Sequence, residues 1–115
     1  MKHSTGKPTK AEQNRFDRMK EQGICIACYQ NGDKGGQYIE IHHLLSGGRR
    51  IGHMATVSLC GWHHRKVLYR GCTEKQMRDE LGPSLADGSK PFRAEFGTDA
   101  ELLTIQNELL GNENP

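Results

Sequence analysis

The sequence has few apolar residues and few aromatic ones. Only 34% of its 115 residues are hydrophobic and 6% are aromatic. No stretch approaches the roughly 20 consecutive apolar residues of a membrane-spanning helix, which excludes a transmembrane protein. The first ten residues, MKHSTGKPTK, lack the apolar segment of a secretory signal. We therefore expect one small cytoplasmic domain, with a core modest enough that a bound metal would help to stabilise it.

Charge is unevenly distributed along the chain. The net charge of +2 conceals balances of +3 in residues 1–22, +4 in residues 23–70 and −5 in residues 71–115. A basic first and middle part is typical of proteins that bind polyanions such as nucleic acids. Ordinary solvated surfaces would give the same pattern, so charge alone leaves both interpretations open.

Capping motifs and the spacing of apolar residues predict a small α+β fold. The capping box Thr9-x-x-Glu12 opens a lead helix that Gly23 ends. The further predicted elements are a strand over 37–43, a flexible basic loop over 46–52, a strand over 56–59, helices over 62–69 and 74–81, turns over 82–89 and a last helix opened by Thr98-x-x-Glu101. The expected single domain 1–115 comprises a basic tail (1–8), the lead helix (9–22), a cysteine-containing core (24–70) and a helical C-terminal extension (71–115).

Two half-sites in the core have the spacing of zinc ligands. They are Cys25-x2-Cys28 and Cys60-x2-His63, and a tetrahedral structural zinc takes four such ligands. The alternative is that the cysteines are buried apolar side chains and His63 is a surface histidine. Because both spacings would then be accidental, we predict a structural zinc. Cys72 lies outside both pairs, and we interpret it as a free structural cysteine.

Four of the six histidines occur as two adjacent pairs. His42 and His43 end the first predicted strand, where successive side chains point to opposite faces. His64 directly follows the predicted zinc ligand His63. Because neighbours of this kind cannot easily share one metal, each pair is expected to divide into one ligand and one residue with another role. A second structural metal, or plain surface histidines, would be the alternatives.

These motifs carry a family resemblance. The segments EIHHL and VSLCGWHHRK, joined through a glycine-rich loop, resemble the HNH endonuclease motif on a ββα-metal finger. The resemblance is closer to the phage-encoded Ref family of recombination-enhancement, RecA-dependent nucleases. That family similarly has a lead helix, a C-x-x-C knuckle, an I-H-H strand and an L-C-x-x-H-H helix start. Its closing segment is matched here by FRAEFGTDAELL, residues 92–103, and the whole match spans about residues 9–110.

The resemblance implies roles for the remaining histidines. His43 matches the general base, and His42 and His64 match the ligands of a catalytic ion. The middle Asn of the HNH signature is missing, since Ala55 stands in its place. His53 or Thr56 is the candidate substitute, and His53 is preferred because its ring could hold the loop or reach the metal.

Phosphodiester hydrolysis also follows from the chemistry of these side chains. A neutral histidine, with an ordinary pKa of about 6.5, accepts a proton from water at pH 7. A divalent ion held by His42 and His64 would act as a Lewis acid and stabilise the leaving 3′ oxygen. Imidazole ligands favour Zn²⁺ or Mn²⁺, and phosphate ligation also allows Mg²⁺. The expected products are 5′-phosphate and 3′-hydroxyl ends.

Basic side chains around the histidines are candidate DNA contacts, namely Arg49, Arg50, Arg65, Lys66 and Arg70. Phosphate contacts add affinity without specifying sequence. The chain shows no array of aromatic residues for base stacking, and Trp62 and Tyr69 fit a core equally well. We therefore expect a nuclease with little sequence specificity. The resemblance also implies action on DNA bound by RecA filaments in a phage or bacterial host.

A different class of function fits part of the pattern. A non-catalytic zinc module that binds DNA or another protein would need the Cys3His set. It would have no use for a second histidine beside His42. His43 is therefore the residue that separates the two hypotheses.

Overall fold

The computed structural model describes residues 6–111, which form the predicted α+β fold, with helices and two short sheets. The tips of the predicted N-terminal tail and C-terminal extension, residues 1–5 and 112–115, lie outside this range. The elements are α1 (Lys10–Gln22), α2 (Ile26–Gln30), β1 (Glu40–His43), β2 (Leu45–Ser46), β3 (Arg49–Arg50), β4 (Thr56–Leu59), α3 (Gly61–Arg65), α4 (Glu74–Leu81), a 3-10 turn (Leu85–Asp87), α5 (Ser89–Phe96) and α6 (Asp99–Leu109).

Helix α1 begins and ends where its sequence predicts. The backbone N–H of Glu12 donates to Thr9 Oγ1 at 3.2 Å, and the Thr9 N–H donates to the Glu12 carboxylate at 2.8 Å. Gly23 ends the helix in the left-handed region (φ 61°), and a Cβ there would lie 2.6 Å from the Gln37 carbonyl oxygen. Phe16 and Met19 are the buried residues of α1. The helix therefore packs through its apolar face, as an amphipathic helix does.

The central hairpin pairs β1 with β4 in antiparallel register, with His42 opposite Val57 and His43 opposite Thr56. β4 is fully buried and leads directly into Cys60 and α3. β1 is shorter than predicted and begins at Glu40. The reason is that the Gln37 N–H donates to the Gly23 carbonyl at 3.0 Å, so this part of the chain is bonded to the end of α1.

The segment predicted as a flexible loop is a second hairpin, so that prediction was wrong. β2 pairs with β3 through Leu45–Arg50 and Ser46–Arg49. Gly47 and Gly48 form the turn with φ angles of 60° and 81°. Two-residue hairpin turns of this kind need positive φ at both positions, which glycine adopts without strain.

Helix α3 is shorter than the predicted helix over 62–69. Lys66 ends it in the left-handed region (φ 62°), and the Val67 N–H donates to the Gly61 carbonyl at 3.1 Å. This is the bond from beyond the helix end that a Schellman-type cap makes. Helix α5 was not predicted, because its sequence follows a run of turn-forming residues.

The aromatic residues divide between core and surface. Trp62 is fully buried and donates its indole N–H to the Gly82 carbonyl at 3.0 Å. Phe92 and Phe96, whose ring centroids are 5.0 Å apart, belong to the same core cluster, whereas Tyr69 is 45% exposed. Between residues 6 and 111, no helix is long and apolar enough to cross a membrane.

Candidate metal centre and histidine site

The four predicted zinc ligands form one buried cluster. Their ligand atoms all lie within 4.8 Å of one another. His63 Nδ1 is 3.5 Å from the sulfurs of Cys25 and Cys28 and 3.3 Å from that of Cys60, and the Cys28 and Cys60 sulfurs are 3.9 Å apart. A tetrahedral zinc with bonds of about 2.3 Å to sulfur and 2.0–2.1 Å to nitrogen spaces its ligand atoms about 3.5–3.8 Å apart. The cluster fits that ion.

Neighbouring groups orient this cluster. The His63 Nε2–H donates to the Leu81 carbonyl at 2.7 Å, which leaves Nδ1 facing the sulfurs. Burial raises the pKa of the Cys25 thiol, whereas hydrogen bonds from Cys25 and Cys28 lower that of Cys60. A divalent cation would neutralise the thiolate charge that this buried set can carry. The Cys3His cluster could thus hold a structural metal such as zinc.

His42 and His64 approach each other on one face of β1. Their ring centroids are 5.2 Å apart. Two imidazoles that bind one ion at about 2.1 Å, with an N–metal–N angle of about 90–110°, have centroids roughly 4.5–5.3 Å apart. In the described part of the chain, no third Cys, His, Asp or Glu completes a tight group with them. A shared ion would therefore keep open positions, as a catalytic ion requires.

Glu40 lies on the same face and was not predicted as a site residue from the sequence. Its carboxylate accepts a 2.6 Å hydrogen bond from His64 Nδ1 and two bonds from Arg65, 2.9 Å from Nε and 2.5 Å from Nη2. Hydrogen bonds from Arg65, against the opposing effect of burial, lower the pKa of Glu40 to about 2. One feature of the sequence could have identified Glu40 as a site residue. It lies two residues before His42, and alternate residues of a strand share a face.

His43 faces a different partner, His53. His43 Nε2 and His53 Nδ1 are 3.0 Å apart, and His53 Nε2 lies 2.9 Å from the Gly6 carbonyl oxygen. Because a carbonyl only accepts, the proton of a neutral His53 is on Nε2, and its Nδ1 accepts from His43 Nε2–H. A neutral His43 is then left with an unprotonated Nδ1. Phe16 contacts both rings edge-on, at centroid distances of 6.1 and 5.5 Å.

Thr56, the other candidate substitute for the missing Asn, supports the backbone instead. Its hydroxyl donates to the His53 carbonyl at 2.8 Å. Arg15 of α1 donates to the Thr56 hydroxyl at 3.0 Å and to its carbonyl at 2.6 Å. Ala55 accepts a bond from the Leu44 N–H at its carbonyl, 2.9 Å away. His53 and Thr56 thus belong to one network on the His43 side.

Three of the candidate DNA contacts are exposed on loops or at the hairpin. Arg49 and Arg50 form β3, next to the tight turn, and Arg70 lies in the exposed segment after α3. Burial, followed by the charge of Arg50, lowers the pKa of His43. The β2–β3 hairpin therefore carries positive charge close to the histidines.

Arg65 and Lys66, which are also candidate DNA contacts, are engaged in ion pairs with acidic side chains. Arg65 is bonded to Glu40, as described, and Lys66 lies 2.7 Å from Asp87 and 3.2 Å from Glu74. Lys66 is also the left-handed residue that ends α3. These charges have structural partners that the sequence did not predict, because the acids come from other elements of the fold.

Comparison with known protein families identifies the family of this chain. The model of the family described as recombination enhancement, RecA-dependent nuclease matches residues 8–111. The chain belongs to this family. The resemblance to the RecA-dependent nuclease family is confirmed, and membership in that family supports a nuclease role. No individually curated protein matches the sequence.

Proposed function

We propose that this RecA-dependent nuclease family member is a metal-dependent HNH-type DNA endonuclease. β1, β4 and α3 would be its ββα-metal finger, and the Cys3His set its structural zinc site. The observation that carries the proposal is the separation of two neighbouring histidines, since His43 is bonded to His53 while His42 lies beside His64. His42 and His43 are consecutive residues of β1, and the proposal requires one phosphodiester to contact both groups.

His43 is the proposed general base. Its Nε2 donates to His53, so the lone pair of Nδ1 is available to take a proton from the attacking water. Burial and the charge of Arg50 lower its pKa, which keeps the ring neutral at pH 7. His53 would be a positioning residue that fixes this tautomer, which makes it the substitute for the missing Asn.

His42 and His64 are the proposed ligands of the catalytic ion. Burial, followed by the nearby His64, lowers the pKa of His42 to about 4, so a nitrogen lone pair is available at neutral pH. A bound divalent ion, Mg²⁺, Mn²⁺ or Zn²⁺, would supply Lewis-acid stabilisation of the phosphate and the leaving oxygen. The two protein ligands leave room for substrate oxygens.

DNA would bind mainly through the exposed arginines of the hairpin and the segment after α3. Arg49, Arg50 and Arg70 can contact phosphates, which gives affinity with little sequence preference. Arg65 and Lys66 face competition from their acidic partners. The family description supports an action coupled to RecA in recombination. The context proposed for it is a bacterial cytoplasm or a phage. The active unit would be the single domain 1–115, with residues 24–70 as its core.

A plasmid-nicking assay tests this function. Zinc-loaded protein is incubated with supercoiled DNA and Mg²⁺ or Mn²⁺, with and without RecA filaments and with EDTA as the control. We expect nicks with 5′-phosphate and 3′-hydroxyl ends, lost when EDTA is added. DNA binding without cleavage under every condition would instead favour a non-catalytic zinc module.

A further inference from the structure

Glu40 lies at the junction of β1 and α3, where it contacts two consecutive residues of the helix. We propose that Glu40 is a positioning residue for the catalytic ion: it holds the His64 ring with Nε2 free to bind, and Arg65 holds Glu40 in place instead of binding DNA. This inference rests on the proposed function, because it assigns a partner to one of the proposed ion ligands.

The hydrogen bond from His64 determines which of its nitrogens can bind a metal. An ionised carboxylate can only accept, so the proton of this 2.6 Å bond is on His64 Nδ1. A neutral imidazole then has its lone pair on Nε2. The contact is shielded from solvent, with the Glu40 side chain 11% exposed and that of His64 23%. A shielded bond of this kind restricts both the tautomer and the orientation of the ring.

The oxygens of Glu40 are already occupied, which argues against Glu40 as a direct metal ligand. Oε1 accepts from His64 Nδ1 and Arg65 Nε, and Oε2 accepts from Arg65 Nη2 and from the Tyr38 hydroxyl at 3.3 Å. Two oxygens with four donors have little capacity left for an ion. The carboxylate can therefore act on the metal site only through His64.

Arg65 supplies the geometry that fixes the carboxylate. Its guanidinium makes two roughly parallel bonds, one to each oxygen, which is the arrangement in which Arg differs most from Lys. The arginine is itself largely exposed, with 60% of its side chain accessible. Arg65 thus binds the Glu40 carboxylate from the solvent side. The same carboxylate accepts from the less exposed His64.

The first measurement follows the His64 tautomer in protein that holds structural zinc only. Long-range ¹H–¹⁵N NMR spectra would be recorded for wild type, Glu40→Ala and Glu40→Gln, with Glu80→Ala on the exposed face of α4 as the matched control. We expect Nδ1-protonated His64 in wild type and in the control. Glu40→Ala should show substantial Nε2 protonation, with Glu40→Gln intermediate, because its amide oxygen still accepts.

The second measurement is calorimetric titration of the same proteins with Mn²⁺, after confirming an unchanged zinc content and melting curve. Loss of an outer-shell partner typically weakens metal binding by about 10–100-fold, which we expect for Glu40→Ala. Arg65→Ala should weaken Mn²⁺ binding in the same direction, whereas Arg70→Ala should weaken DNA binding alone.

The outcomes separate this inference from the function on which it rests. Equal Mn²⁺ affinity and an unchanged tautomer in Glu40→Ala would overturn the role of Glu40 alone. An Arg65→Ala protein that binds Mn²⁺ normally but loses affinity for DNA would overturn the role of Arg65. Wild-type protein that binds no Mn²⁺ beyond its zinc would contradict the catalytic ion itself, and the proposed function with it.

Discussion

Neighbouring histidines differ in chemistry because each contacts different partners. His63 faces three sulfurs, whereas His64, the next residue, donates to Glu40. His42 lies beside His64, whereas His43 donates to His53. The alternation of side chains along a strand, together with the short helix α3, separates each pair. Identical residue types at consecutive positions can therefore carry different functions.

The His43–His53 contact predicts a partial loss of activity when His53 is changed. His53→Ala should slow single-turnover nicking by about 10-fold or more, since base catalysis typically contributes about 10²–10⁴-fold and depends on orientation. DNA affinity and zinc content should not change. His53→Asn, which can still accept a hydrogen bond, should recover part of the rate. A His53→Ala protein as fast as wild type would remove His53 from the site.

The charge of Arg50 predicts a shift in the pH dependence of cleavage. Burial lowers the pKa of His43 most, and the positive charge of Arg50 lowers it further because it disfavours the imidazolium. If His43 is the base, as proposed, it stays neutral to lower pH in wild type. Activity should then be lost only as the pH falls through this lowered pKa. Arg50→Ala should raise the pKa and move the acidic limb of the rate profile to higher pH. An acidic limb at the same pH in wild type and Arg50→Ala would contradict an effect of Arg50 on the pKa of His43.

The sequence predicted the site residues whose spacing is local. Cys25, Cys28, Cys60 and His63 could be found because each half-site lies within four residues. Glu40 was missed because its partners are 24 and 25 positions away and come from another element. Pairings of this kind depend on how elements pack, which single-sequence patterns do not record.

At the level of elements, the capping motifs predicted the starts of α1 and α6 correctly. The β2–β3 turn and the end of α3 were not predicted. The boxes at Thr9 and Thr98 act within one helical turn, so they specify α1 and α6 directly. The β2–β3 hairpin depends on paired strands around Gly47 and Gly48, and α3 ends at a lysine in a glycine-like conformation. A non-glycine residue there gives no sequence signal for a helix end.

The hairpin predicts how DNA binding responds to salt. Arg49→Ala/Arg50→Ala should weaken binding similarly for unrelated sequences, because phosphate contacts carry no sequence information. The slope of log affinity against log salt should flatten by roughly one to two units, at about 0.9 per contact. Fluorescence anisotropy across a salt series checks this. A loss confined to one DNA sequence would mean that the hairpin reads bases.

At the level of the whole molecule, the Cys3His cluster joins the hairpin to the helices around it. Its ligands come from the segment at α2 and from the start of α3, and Leu81 at the end of α4 accepts from His63. The surrounding core is small, although it includes Trp62 and Phe92. We infer that metal binding contributes much of the folding free energy, as in other small metallo-domains.

Removal of one ligand tests that contribution. Cys25→Ser should lower the melting temperature strongly and reduce tightly bound zinc below one per chain. Cys72→Ser is the matched control, because Cys72 lies outside the cluster. Calorimetry and metal analysis give both readouts. A Cys25→Ser melting curve like that of the control would contradict a structural metal at this site.

The most direct test of the proposed function is single-turnover nicking of supercoiled plasmid by His43→Ala. We predict a protein with wild-type fold, zinc content, Mn²⁺ binding and DNA affinity whose cleavage rate is lower by about 10²-fold or more, because only the base is missing. Added divalent metal should not restore the rate. Cleavage by His43→Ala at the wild-type rate would contradict the account and favour a zinc module without this catalytic site.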